Sequence, residues 1–167
     1  RAELQNVTVE QALSHPNWSM VNKVTIDSAT MMNKGLEMIE ACWLFNVKPS
    51  QVNIVVHPQS IVHSMVCFSD GSIKAQLALP DMRLPIQYAM AYPHRLATSY
   101  PRFSFADYPQ LGFYEVDRDT FSCLNIAYTA MNQGGNIPCA MNACNEIAVE
   151  AFLNKRIQFL DIATIVE

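Results

Sequence analysis

The residues best suited to chemistry in this sequence lie in DSATMMNKGLE, which spans residues 27–37. We predict a helix over residues 30–45, which places Asn33, Lys34 and Glu37 within about one turn of each other. An amide, a cation and a carboxylate at this spacing can contact one small ligand. The free N–H groups of a helix start suit a phosphate, and the carboxylate suits a hard divalent cation.

A simpler explanation of the same residues stays open. Ser28 or Thr30 could serve only as a helix N-cap, and Lys34 with Glu37 could be an exposed pair worth a few tenths of a kcal/mol. Gly35 indicates close packing of the helix against another element, because glycine is about 1 kcal/mol worse than alanine in a helix interior.

The motif HPNWSM at residues 15–20 is a second candidate. It places His15, Trp18 and Met20 on a loop that contains a proline. Such a loop could close over a substrate and exclude water, or the tryptophan could simply anchor the loop to the surface.

Two further motifs carry candidate residues. HPQSIVH contains His57, Ser60 and His63, and its histidine spacing matches no zinc signature, which favours core histidines over metal ligands. In Pro80–Arg83, Asp81 and Arg83 could pair while Met82 faces a pocket, or the segment could simply make a turn.

The elements that must position these residues describe a layered α/β (α+β) fold. It has a small mixed sheet with a strand hairpin, packed by helices, and a helix-rich C-terminal third. The predicted apolar stripe of the 30–45 helix consists of Met32, Leu36, Ile39 and Trp43. The other predicted elements are a short helix begun at Thr8, strands at 23–27 and 53–57, a hairpin of 61–68 with 73–79 around Asp70-Gly71, a helix from Pro85 to Tyr92, helices at 120–133 and 139–154, and another near Phe159.

Composition argues against several classes of function. The 167 residues are 50% hydrophobic and carry a net charge of -4, which argues against nucleic acid as a partner. No apolar run is long enough for a membrane helix, and no signal peptide is visible. The five cysteines form no CxxC pair; we interpret them as buried reduced thiols of a cytosol-like compartment.

Several motifs together resemble the 1-deoxy-D-xylulose 5-phosphate reductoisomerase family. The similarity covers nearly the whole chain, and the motifs occur in the family's order. They are HPNWSM at 15–20, IDSATMMNKGLE at 26–37, HPQSIVHSMV at 57–66, DGS at 70–72, PDMRLPIQYA at 80–89 and ACNEIAVEAFL at 143–153.

The resemblance implies an NADPH-dependent enzyme of isoprenoid biosynthesis that uses Mg²⁺, Mn²⁺ or Co²⁺. Its substrate is 1-deoxy-D-xylulose 5-phosphate and its product is 2-C-methyl-D-erythritol 4-phosphate. The family is homodimeric and works in the cytoplasm, or in the plastid of a plastid-bearing eukaryote.

Site roles follow from the same resemblance. Glu37, Lys34 and His15 would be catalytic, with Glu37 as a metal ligand. Substrate would also contact Ser28, Asn33, Trp18, Ser60 and His63, and the cofactor would contact Met20 and Met82.

The resemblance also implies a domain division. Residues 1–155 would form the catalytic domain and residues 156–167 the start of a linker or C-terminal helical region. We expect an N-terminal NADPH-binding domain and two further metal carboxylates to lie outside this chain, and the chain alone to be inactive. Val21-Asn22 also departs from a Gly-basic pair common in the family.

Two alternatives remain at this point. One is a metal-dependent sugar-phosphate isomerase or aldolase without a redox step. The other is a module for subunit association, built on the apolar strands between Ile54 and Leu79.

Overall fold

The structure is a computed structural model, and it describes residues 3–14 and 21–167. The chain divides into two compact units, Arg1–Ile54 with Val116–Glu167, and Val55–Glu115. The helices are α1 (Val9–Ala12), α2 (Asn22–Ala29), α3 (Met32–Phe45), α4 (Arg83–Ala91), α5 (Cys123–Gln133), α6 (Ile137–Leu153) and α7 (Asp161–Val166), and the strands are β1 (Val62–Cys67) and β2 (Ile73–Leu77). This is the helix-rich α/β fold class that the sequence predicts.

The first unit is helical and has one apolar core. In it α3 packs against α5, α6 against α7, and α2 against both α3 and α6. The core includes Ile26, Met32, Met38, Cys42, Cys123, Ala127, Ala130, Met141, Ala148, Val149, Phe152, Phe159, Ile162 and Val166. Helix α1 begins at the predicted residue: the Thr8 hydroxyl accepts from the Gln11 backbone N–H, and the Gln11 side chain accepts from that of Thr8.

The predicted strand at 23–27 is wrong, because these residues lie in α2. Five alternating residues are too few to distinguish the two periodicities. The burial of these residues distinguishes a helix from a strand. Thr25, Ile26 and Asp27 are consecutive and all buried, whereas a strand with one covered face buries only alternate residues. Lys23 also reaches Asp27 at 2.7 Å across one helical turn.

Helix α3 is confirmed, although it begins at Met32, two residues later than predicted. Its buried face differs from the predicted stripe. The buried residues are Met32, Gly35, Met38 and Cys42, while Trp43 is 74% exposed and Leu36 and Ile39 are half-buried.

Gly35 explains why α3 turns this face to the core. A Cβ at Gly35 would lie 2.5 Å from the Cβ of Ala127 on α5, well inside ordinary carbon contact distance. Because Gly35 has no side chain, α5 can approach α3 closely, which confirms the close packing predicted at this glycine.

Gly35→Ala is expected to destabilise the chain by about 1–3 kcal/mol, because two rigid helices must move apart. In an open helix the same change would stabilise by up to about 1 kcal/mol. The sign of the change in the free energy of unfolding therefore tells whether Gly35 is in close contact with α5. Urea denaturation of the chain measures the difference. The compensating double variant Gly35→Ala with Ala127→Gly should lose less than the sum of the two single changes. Strict additivity would contradict the contact.

The second unit contains the predicted hairpin. Strands β1 and β2 are antiparallel, with Met65 opposite Ala75, and they form a two-stranded sheet. The turn is made by Gly71 at φ 85° and by Asp70, whose Oδ1 accepts from the backbone N–H and hydroxyl of Ser72. Helix α4 ends at Ala91, next to the predicted stop at Tyr92, but it begins at Arg83, two residues before the predicted start at Pro85.

The predicted buried strand at 53–57 is wrong. In the described residues this segment makes one isolated bridge, between Val56 and Tyr114, and Val55 and Val56 are 44% and 38% exposed. An apolar β-branched run forms a regular strand only where a partner backbone continues alongside it, and here pairing stops after one residue.

The C-terminal third follows the prediction, with α5 and α6 separated by Gly134 and Gly135 and α7 after Phe159. The cysteine prediction holds only in part. All five are free, but Cys67, Cys139 and Cys144 are exposed while Cys42 and Cys123 are buried. None of the helices in the described part of the chain is long and apolar enough to cross a membrane.

Candidate functional site

The candidate site is built on the turn between α2 and α3. Thr30 ends α2, and Met31 adopts a left-handed conformation with φ 66° before α3 begins. The Thr30 hydroxyl donates to the Asp27 carbonyl at 3.2 Å and accepts from the Met32 N–H at 3.4 Å. Ser28 lies inside α2, so it is not the N-cap of α3.

The first two turns of α3 bring the three predicted side chains together. Asn33 Nδ2 donates to Glu37 Oε1 at 2.6 Å, and Lys34 Nζ donates to Glu37 Oε2 at 2.5 Å. The amide and the ammonium thus hold one carboxylate from both sides. This is the cluster that the spacing predicts, on the part of α3 outside its buried face.

The contacts within this cluster are weak enough to be exchanged for a ligand. The side chains of Lys34 and Glu37 are 44% and 47% exposed. Exposed ion pairs of this kind contribute at most about 1 kcal/mol, because water screens them. A phosphate or a cation can therefore displace them at little cost, while the helix keeps the three groups in place.

The cluster on α3 contains one carboxylate, that of Glu37, which limits how the cluster can bind a metal ion. Within residues 3–14 and 21–167, no group of three His, Cys, Asp or Glu side chains could hold a metal ion. Mg²⁺ is commonly held by one or two carboxylates together with water and substrate oxygens. Glu37 therefore fits as one ligand of such an ion, but not as a complete site.

A buried polar pair next to this turn was missed by the sequence analysis. Asp27 and Asn145 are 2% and 0% exposed, and Asn145 Nδ2 donates to Asp27 Oδ1 at 2.8 Å. A signal did exist. Asn145 occupies a core position in the helical series of α6 that also contains Met141, Ala148, Val149 and Phe152.

Cys123 lies in the same buried region. The pKa of its thiol is raised to about 11, mainly by burial; a hydrogen bond with Thr30 opposes the rise, and the charge of Asp27 adds to it. The thiol is protonated at neutral pH and is not a nucleophile.

Ser60 and the two histidines lie in the second unit. His57 Nδ1 is 2.7 Å from the Gly112 carbonyl, and its ring stacks on Phe113 at 4.6 Å. His63 is exposed, with Nε2 3.1 Å from the Ala78 carbonyl. Ser60 has a positive φ of 51° and closes a turn onto the His57 carbonyl. These contacts hold the His57 ring within the second unit, while its Nε2 is buried without a partner among the described residues.

Met82 is 57% exposed and lies in a turn braced by its neighbours. Arg83 and Asp81 pair at 2.6 Å, as predicted. The hydrogen bonds from Arg83 lower the pKa of the Asp81 carboxyl. The guanidinium also lies 4.4 Å from the centre of the Tyr100 ring.

The remaining site candidates cannot be placed in the same way. His15, Trp18 and Met20 fall outside the described residues. Their roles stay predictions.

Comparison with known families identifies the chain. A model described as the DXP reductoisomerase C-terminal domain matches residues 77–167. A second, the 1-deoxy-D-xylulose 5-phosphate reductoisomerase C-terminal domain, matches residues 1–45.

Individual relatives agree with the family models. The chain is 54% identical to the 1-deoxy-D-xylulose 5-phosphate reductoisomerase of Pseudomonas aeruginosa (strain UCBPP-PA14), over 99% of this chain and 42% of that protein. It is 56% identical to the reductoisomerase of Bacteroides thetaiotaomicron, with the same two coverages. The chain thus spans less than half the length of these relatives.

Solved structures match equally well. The crystal structure of DOX-P reductoisomerase in complex with NADPH, fosmidomycin and magnesium aligns with a TM-score of 0.95 at 50% identity, over 99% of this chain and 40% of that one. The enzyme from Zymomonas mobilis in complex with NADPH aligns at 0.92 and 50% identity, over 99% and 42%. The chain belongs to the 1-deoxy-D-xylulose 5-phosphate reductoisomerase family.

Proposed function

We propose that this chain is the substrate- and metal-binding portion of a longer reductoisomerase. That enzyme converts 1-deoxy-D-xylulose 5-phosphate to 2-C-methyl-D-erythritol 4-phosphate with NADPH. The observation that carries the proposal is the cluster of Asn33, Lys34 and Glu37 on α3, in a chain of this family. Relatives solved with NADPH favour this reaction over an isomerase or aldolase without a redox step.

The side chains of this segment have distinct tasks in the proposed reaction. Ser28 and Asn33 hold phosphate and hydroxyl oxygens of the substrate by hydrogen bonds, and Lys34 adds a cation. Glu37 is one ligand of the divalent metal. The metal would stabilise negative charge on adjacent substrate oxygens as a Lewis acid, and NADPH would supply the hydride.

Binding at the phosphate end has a catalytic purpose. Contacts remote from the reacting carbons provide binding energy that positions the substrate for the chemical step. From the family motifs we also propose substrate contacts for His15, Trp18, Ser60 and His63, and cofactor contacts for Met20 and Met82.

We also propose the domain plan that the motifs suggest. Residues 1–155 form the catalytic domain, residues 156–167 begin the next region, and an NADPH-binding domain precedes them in the full-length enzyme. Relatives more than twice as long as this chain support this plan.

A cytoplasmic homodimer is the proposed state of that enzyme. The free cysteines are consistent with a reducing compartment. The hairpin leaves Val66 and Ile73 57% and 61% exposed, which supports a subunit contact in this region.

Lys34→Ala tests the proposal in the full-length enzyme. We expect kcat/KM for the sugar phosphate to fall by about ten- to a hundredfold, the value of a lost hydrogen bond to a charged group. Steady-state NADPH oxidation measures it. Circular dichroism should stay unchanged, because the ion pair that is lost is exposed.

Lys155→Ala is the matched control, since Lys155 also forms an exposed pair, with Glu10 at 2.8 Å. It should leave kcat/KM unchanged. If both variants keep near-normal turnover, Lys34 is a solvated surface residue and not a substrate contact.

A further inference from the structure

Asp27 and Asn145 connect two helices that are distant in sequence. Asn145 Nδ2 of α6 donates to Asp27 Oδ1 of α2 at 2.8 Å, and both residues are buried. Lys23 contacts the other carboxylate oxygen at 2.7 Å, but it lies one turn earlier in α2 itself. Among the described residues, therefore, the hydrogen bond from Asn145 is what ties this carboxylate to another helix.

The orientation of the Asn145 amide is determined by this contact. A carboxylate accepts hydrogen bonds, so the NH₂ group must face Asp27. Asn145 Oδ1 is then buried without a partner in the described part of the chain. An apolar residue would avoid that unpaired oxygen in a core position, so packing alone does not explain an asparagine here.

The hydrogen bond between Asp27 and Asn145 is connected to the turn that carries the candidate site. The Asp27 carbonyl accepts from the Thr30 hydroxyl, and that hydroxyl accepts from the Met32 N–H that starts α3. Ser28 follows Asp27 in the chain and Asn33 follows Met32. A rotation of the end of α2 would therefore move both proposed substrate contacts.

We propose that Asp27 and Asn145 are positioning residues, which hold the α2–α3 turn so that Ser28 and Asn33 meet the substrate together. This rests on the proposed function for the identity of the substrate. Neither residue touches the ligand. Their contribution is to fix the angle between the end of α2 and the start of α3.

Asn145→Asp in the full-length enzyme removes the donor and sets two buried carboxylates against each other. We expect kcat/KM for the sugar phosphate to fall by about ten- to a hundredfold, the scale of a displacement of about 1 Å in a binding group. The KM for NADPH should not change. A purely structural role would lower the unfolding midpoint and leave these kinetics intact in the folded enzyme.

Adding Asp27→Asn to Asn145→Asp restores one carboxylate facing one amide, with the donor on the opposite helix. We expect this double variant to recover most of the lost kcat/KM. Asn125→Asp, the same change at an exposed position on α5, is the matched control and should match the parent enzyme.

Hydrogen exchange separates this inference from the proposed function. The amides of Thr30, Met31 and Gly35, which bond within this turn, should exchange faster in Asn145→Asp and recover in the double variant. That result stands even if the enzyme shows no reductoisomerase activity, which would overturn the proposed function alone. Unchanged exchange at these amides, or an unrescued double variant, would overturn the positioning role, as would normal kinetics for Asn145→Asp in an active enzyme.

Discussion

The isolated 167-residue chain is expected to show no turnover of 1-deoxy-D-xylulose 5-phosphate with NADPH. Glu37 is a single carboxylate, and no cluster of three metal-binding side chains occurs in the residues that the structure describes. A magnesium ion held by one carboxylate stays largely hydrated and is poorly fixed in position. Hydride transfer further requires the nicotinamide to be held against the substrate carbon in a site closed to water.

Absorbance at the NADPH band measures this directly, with the full-length enzyme at equal concentration as the positive control. Circular dichroism must first show that the chain is helical, so that inactivity is not mistaken for unfolding. Substrate-dependent NADPH oxidation by the chain alone would contradict the proposed division of the site between this chain and other parts of the enzyme.

Glu37→Gln in the full-length enzyme should have the next largest effect. The change keeps the size of the side chain and removes its charge, so it tests the metal role specifically. Lewis-acid stabilisation of the transition state is worth several kcal/mol, which corresponds to a loss of about a hundredfold or more in kcat. Folding should be unaffected, because Glu37 is about half exposed and exposed ion pairs contribute little.

Glu40→Gln provides the control on the same helix. Glu40 is exposed and lies three residues further along α3, so it loses the same charge without touching the cluster. Steady-state kinetics over a range of Mg²⁺ concentrations should show a raised metal requirement for Glu37→Gln and none for Glu40→Gln. Near-normal kcat at ordinary Mg²⁺ for Glu37→Gln would remove Glu37 from the metal site.

Local sequence was sufficient wherever the determining interactions are close along the chain. The Asp70-Gly71 turn, the Thr8 capping box and the helix end before Tyr92 depend on neighbours a few residues apart. The cluster on α3 is of the same kind, because i,i+3 and i,i+4 spacing places Asn33 and Lys34 beside Glu37 in any α-helix.

The two wrong strand predictions concern segments whose structure depends on residues that are distant along the chain. Residues 23–27 form a helix because three consecutive residues are buried by other helices. Residues 53–57 form no regular strand because their pairing ends at the single bridge to Tyr114. In both cases the local pattern is too short to determine the backbone structure, and the tertiary neighbours decide it.

The sequence by itself determined the family, the helix-rich α/β class and the chemical groups on α3, since these depend on motifs and on local spacing. Only the tertiary structure decided which face of α3 is buried, through the contact of Gly35 with Ala127. It also revealed the bond between Asp27 and Asn145, which are 118 residues apart. No local pattern encodes such a pairing, because it exists only once two separate helices have packed together.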